Sequence, residues 1–161
     1  MKVLALVQSP DHVCCRYRIA PFGWALAERG LHLEVAPLEK GTLRRVGQLR
    51  AARRADVIIL QRKLLPLWQL GILRRAARGL VYDVDDALFQ RDSYSRKSPQ
   101  SHTRLARFWA TVYAADRVIA GNEYLHRRAA SYVDPGRVQV VPTCVQPELY
   151  RTARHGRRGS A

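Results

Sequence analysis

Acidic residues are scarce in this chain. Asp and Glu together number 13 among 161 residues, against 28 Lys and Arg, for a formal net charge of +15. That balance favours anionic partners: phosphorylated substrates, acidic lipid surfaces or nucleic acid. Scattered arginine also simply solubilises a fold. Lysine is rare too, at Lys2, Lys40, Lys63 and Lys97. The three cysteines are Cys14, Cys15 and Cys144; an odd count with two neighbours adjacent argues against a disulfide framework and for a reduced compartment. Charges interrupt every apolar run, so none is long enough to span a bilayer. The start Met1-Lys2-Val3-Leu4-Ala5-Leu6-Val7 lacks a signal peptide's small-residue cleavage site. The expected location is the cytoplasm.

The nucleotide motifs are missing as well. No G-x-G-x-x-G follows the first strand-like run, and no G-x-x-x-x-G-K-[ST] loop occurs. His12, Cys14 and Cys15 match no structural zinc spacing, and no metal or cofactor is expected. A phosphoacceptor receiver domain needs an acidic pair after the first strand and a lysine after the fifth; Gly121 and Asn122 stand there instead.

What is present is a regular alternation. Strand patterns fall at residues 2–8, 31–36, 56–60, 80–82, 117–120 and 138–141, and helix patterns at 16–29, 42–54, 66–78, 102–115 and 122–132. Gly30 suits the stop of the first helix, Thr42 the cap of the second and Pro66 the first turn of the third. Leu105, Phe108, Trp109 and Val112 keep the spacing of a core-facing stripe. Strands alternating with helices predict one Rossmann-like α/β domain, a mostly parallel sheet with helices on both faces. The domain is expected over residues 1–146, with 147–161 a disordered linker and basic tail, and 92–101 a serine-rich loop.

Three of the few acids fall within four positions, in Leu80-Val81-Tyr82-Asp83-Val84-Asp85-Asp86. They follow the fourth strand pattern, at the carboxyl edge where open α/β sheets bind ligands. They suit a ligand site, a divalent cation or a capping turn. Arg16 and Arg18 belong near the start of the first helix, where two guanidiniums can clamp a phosphate or carboxylate. Gln61-Arg62-Lys63 and Gly121-Asn122-Glu123 end the third and fifth strands on the same edge. Gly121 permits close backbone approach and Asn122 suits a helix cap.

Four segments resemble the N-terminal half of a GT-B glycosyltransferase of the family-4 type. They are Cys15-Arg16-Tyr17-Arg18-Ile19; Asp56-Val57-Ile58-Ile59-Leu60-Gln61-Arg62; Leu80 through Phe89; and Ala115-Asp116-Arg117-Val118-Ile119-Ala120-Gly121-Asn122-Glu123-Tyr124-Leu125 followed by Val140-Val141-Pro142-Thr143-Cys144-Val145. In that family this half takes the acceptor, and a second Rossmann-like half takes the nucleotide-sugar. The resemblance implies an acceptor-side domain, inactive alone, with Asp85 and Asp86 as catalytic candidates. Arg16, Tyr17, Arg18, Arg62, Asp83, Gly121, Asn122 and Glu123 become the substrate-binding candidates. Ser9-Pro10 replaces the glycine pair that many members carry after the first strand, and Asp85 stands where many have a histidine. The implied partners are an acceptor glycan, lipid or small molecule, and a nucleotide-sugar donor only with a second domain. Two other readings stay open. One is a subunit of a split transferase. The other is a basic α/β module for anionic lipid or nucleic acid, with Arg44, Arg45, Arg50, Arg53 and Arg54 beside Leu43, Val46 and Leu49 resting on acidic headgroups at the inner face of the membrane. Aromatics are not interleaved with those arginines, which disfavours nucleic acid.

Overall fold

The computed structural model describes residues 1–91, 94 and 98–143. Cys144, the expected tail over 147–161 and much of the serine-rich stretch lie outside them. The six strand patterns form β1 (Lys2–Val7), β2 (His32–Pro37), β3 (Val57–Gln61), β4 (Gly79–Val84), β5 (Arg117–Ala120) and β6 (Val138–Val140). They make one sheet in the order β2-β1-β3-β4-β5-β6, with every neighbouring pair parallel. Strand order reverses between β1 and β3, so a crevice is expected beyond their carboxyl ends.

Alternation along the strands sends side chains to two unequal layers. Leu4, Leu6, Ile58, Leu60, Leu80, Tyr82, Val84, Val118 and Ala120 build the larger core. Four helices cover it: α3 (Thr42–Ala51) through Leu49, α4 (Leu67–Ala76) through Leu70 and Leu73, α5 (His102–Ala114) through Phe108 and Val112, and α6 (Glu123–Ala130) through Leu125 and Ala129. Phe108 packs edge-on against Tyr82 with ring centroids 6.3 Å apart, and tilted against Phe89 at 4.9 Å. The opposite layer is thinner. There Ala5 and Val7 meet Cys15 of α1 (Val13–Arg18) and Ile19, with α2 (Gly23–Glu28) alongside β2.

Several expectations change. The helix expected over 16–29 is two short helices. It starts earlier, at Val13, where the His12 ring Nδ1 accepts the Cys14 N–H at 3.2 Å. Pro21 lies in a 3-10 turn, Ala20–Phe22, that separates α1 from α2, because proline has no N–H for a continuous helix. Arg16 and Arg18 therefore stand in the last turn of α1, not near its start. Gly41, at φ 87°, occupies the cap position before α3, and Thr42 is its first residue. β4 continues past Tyr82 through Asp83 to Val84. Trp109 is 47% exposed; Phe108, Thr111 and Val112 carry the buried face of α5.

Candidate functional site

β4 can run through Asp83 because a cation meets the carboxylate inside the fold. Arg18 Nη2 donates to Asp83 Oδ1 at 2.6 Å, and Arg18 Nε donates to both carboxylate oxygens at 3.2 Å. Both side chains are 3% exposed. Gln61 Nε2 bridges from β3, donating to Asp83 Oδ2 and to the Cys14 carbonyl, each at 3.2 Å. The remaining amine of the guanidinium, Nη1, donates to the Val141 carbonyl at 2.9 Å and to Thr143 Oγ1 at 3.1 Å. One buried guanidinium thus ties α1, β4 and the chain leaving β6. Such a pair recovers its desolvation cost only when its remaining donors and acceptors are filled, as most are here.

The second cluster lies just beyond, at the carboxyl ends. Arg62 follows β3 with φ 49°, a left-handed conformation that a non-glycine residue seldom adopts. Its N–H donates to the Asp83 carbonyl at 2.8 Å. Its side chain then faces the acids: Nη2 donates to Asp86 Oδ2 at 2.6 Å, Nε lies 3.6 Å from Asp85 Oδ1, and Nη1 donates to Cys14 Sγ at 2.7 Å. The two carboxylates differ. Asp86 is 54% exposed, and its Oδ1 accepts the Ala87 N–H at 2.8 Å. Asp85 is 12% exposed, and its buried Oδ1 faces Arg62 as an ion pair and has no hydrogen bond among the described residues. The Cys14 thiol beside it is pushed above its ordinary pKa, first by burial and then by the Asp85 carboxylate, against the pull of Arg62.

Gly121 closes the β5 side. A Cβ there would stand 2.9 Å from Asp85 Cα and 3.2 Å from Asp85 Cβ, so only glycine lets the two loops approach this closely. Asn122 caps α6, its Oδ1 accepting the Leu125 N–H at 2.9 Å. Glu123 is exposed on the first turn of α6, with a carboxylate oxygen 3.9 Å from His126 Nδ1. Arg16 is exposed and stacks over the half-buried Tyr17 ring at 5.8 Å.

The structure therefore gathers Arg18, Arg62, Asp83, Asp85, Asp86 and Gly121. Among the described residues it leaves Arg16 and Glu123 outside that hydrogen-bonded group, places the Tyr17 ring under Arg16 and uses Asn122 as a cap. Sequence reasoning passed over Gln61, Cys14 and Thr143. Gln61 was visible as the residue ending a strand on this edge. Nothing local marks Thr143, whose partner lies 125 positions away. Behind the Arg18–Asp83 pair, on the thinner layer, is a cavity of about 280 Å³ lined largely by Ile19, Phe22, Leu26, Ile59 and Ile119. Among the described residues, no group of three or more His, Cys, Asp or Glu is placed to hold a metal ion, and no helix is long and apolar enough to cross a membrane.

No family model matches the chain, and no curated protein is similar enough in sequence to count as a relative. Solved structures do match. The fold is similar to Anabaena Alr3699/HepE in complex with UDP, with TM-score 0.52 and 17% identity, covering 94% of this chain and 46% of that one. It is also similar to an alpha-glucosyltransferase in complex with UDP and a 13-mer DNA containing a HMU base, with TM-score 0.51 and 10% identity, covering 89% of this chain and 42% of that one. The chain spans less than half the length of either. At such identities the likeness speaks for the fold: a six-strand all-parallel sheet that matches one Rossmann-like half of a GT-B architecture.

Proposed function

We propose that this chain is the acceptor-side half of a GT-B glycosyltransferase, which moves a sugar from a nucleotide-sugar to an acceptor hydroxyl and needs a donor-binding half, in the same or another chain, to act. One observation carries the reading. Two adjacent carboxylates held by Arg62, Asp85 at 12% and Asp86 at 54% exposure, lie at the carboxyl edge of a parallel sheet of this fold. Asp86 is open to an incoming acceptor hydroxyl, with the Asp85 charge directly behind it. A carboxylate accepts the hydroxyl's hydrogen bond and orients the hydroxyl toward the sugar's anomeric carbon.

In the transfer, the hydroxyl oxygen bonds to the anomeric carbon as the bond from that carbon to the diphosphate breaks. The proton passes to the carboxylate or to the departing diphosphate. Arg62 fixes Asp85 and Asp86 together, and Gly121 leaves room for the loop that carries them. Arg16, exposed over Tyr17, is free to meet an acidic group on acceptor or donor; Asn122 and Glu123 flank the same edge. Arg18 and Asp83 hold the edge in shape from below. The cytoplasm remains the proposed location.

Calorimetric titration of the chain with UDP-glucose and GDP-mannose tests the division of labour. The expected affinity is weaker than micromolar, without turnover. Micromolar binding, about −8 kcal/mol, means that the chain holds a donor site of its own and contradicts the reading.

A further inference from the structure

Three large apolar side chains are exposed at one rim of the carboxyl edge. In a parallel sheet the covering helices run back against the strands, so α3 and α4 both begin at that edge. Leu43, on the first turn of α3, is 88% exposed, and Leu67 and Trp68, on the first turn of α4, are 56% and 53% exposed. The two helices pack side by side. Cations surround them. Lys40 and Arg44 are exposed, and half-buried Arg45 donates to the Glu39 carbonyl at 2.9 Å. Lys63, in the turn between β3 and α4, donates to Gln8 Oε1 at 2.9 Å, and its ammonium is held below its ordinary pKa by burial and then by Arg45 and Arg62. Glu39, also exposed, is an acid on this rim.

We propose that this rim docks the protein edge-on against an anionic lipid bilayer. Leucine tips enter the acyl boundary, tryptophan sits at headgroup depth, and the flanking Lys and Arg meet anionic headgroups. Phosphodiester backbones offer nothing to two exposed leucines, so the same cations fit nucleic acid less well. The geometry also replaces the lying-down helix that the sequence suggested. Leu49 is wholly buried in the core and Val46 is half-buried, so much of the apolar stripe of α3 is withdrawn from the surface. Arg50 stands in the last turn of α3, about 10 Å along the axis from Leu43, and Arg53 and Arg54 lie farther still in the 3-10 turn Ala52–Arg54. Docked by this rim, the Asp85 edge lies close to the membrane, where a lipid-borne acceptor would be presented. Docking by this rim does not depend on sugar transfer, and its test reads binding alone.

The test is flotation of the full chain with vesicles of equal phosphatidylglycerol and phosphatidylcholine, beside vesicles of phosphatidylcholine alone. The protein should float with the anionic vesicles only. Leu43→Glu combined with Trp68→Glu should cut the bound fraction about tenfold or more. Replacing Arg50, Arg53 and Arg54 by Ser, or Arg151, Arg154, Arg157 and Arg158 by Ser, should leave most binding in place. In a Trp24→Phe, Trp109→Phe background, Trp68 emission should shift to the blue on anionic vesicles. This reading also serves if the charged double variant fails to fold. The proposal is overturned if the wild type stays unbound, if Trp68 emission does not move, if the folded double variant floats undiminished, or if either serine set abolishes binding. Tighter binding to a single-stranded oligonucleotide than to the vesicles overturns it too.

Discussion

Replacing Asp83 by alanine should strand the Arg18 guanidinium inside the fold. Arg18 would lose three hydrogen bonds to the carboxylate and keep only those to the Val141 carbonyl and Thr143 Oγ1. At 3% exposure, water cannot replace the lost partner. Removing one member of such a buried pair costs about 3–5 kcal/mol. For a domain of this size that corresponds to a fall in Tm of roughly 10 °C. The double variant Arg18→Met, Asp83→Leu removes both charges and fills the space, and should lose about 2 kcal/mol or less. Urea unfolding of wild type, Arg18→Met, Asp83→Leu and the double variant closes a cycle whose coupling energy should exceed about 2 kcal/mol. If Asp83→Ala costs under about 1 kcal/mol, or the double variant loses the sum of the singles, the pair does not hold this edge together. Asp83 would then be free for a ligand.

Gly121→Ala should cost about 1–3 kcal/mol, because its new Cβ meets the backbone at Asp85 and not a flexible side-chain end. Gly47→Ala, in α3 with nothing within 4 Å of the added Cβ, should gain about 0.5–1 kcal/mol in the same thermal melts. Stability should also fall in alkali. Burial first of all raises the folded-state pKa of Cys14, Cys15 and Tyr82. Above the ordinary thiol pKa of about 8.5 the unfolded chain releases protons that the folded chain keeps, so stability is full below that pH and declines above it. The urea midpoint should drop between pH 8 and pH 10. A Cys14→Ala, Cys15→Ala, Tyr82→Phe variant should show a shallower drop, and an unchanged slope counts against buried protonated groups as the cause.

The architecture was legible because alternation and periodicity are local. Six apolar runs separated by amphipathic stretches fix a parallel sheet with few topologies. The break between α1 and α2 was missed, although its mark, Pro21, stands inside the helix pattern. The end of β4 was not legible. Asp83 reads as a strand end until Arg18, 65 positions away, is known to meet it. The candidate site follows the same division. The acids and Arg62 were visible as residues at strand ends. The left-handed backbone of Arg62, which turns its side chain onto Asp85 and Asp86, leaves no mark in composition or spacing. Trp109 misled because hydrophobic spacing shows a stripe but not its width, and α5 buries only one side of it.

The central claim is that Asp85 and Asp86 orient an acceptor hydroxyl. Turnover of the proposed two-domain enzyme, this chain combined with a donor-binding half and carrying Asp85→Asn or Asp86→Asn, tests it most directly when each variant's Tm is measured beside it. The rate should fall about 10²-fold or more, with little change in Tm, because amide and carboxylate have nearly the same shape. Variants that melt several degrees lower while their folded fraction keeps the normal rate would contradict it, and the acids would then belong to the scaffold.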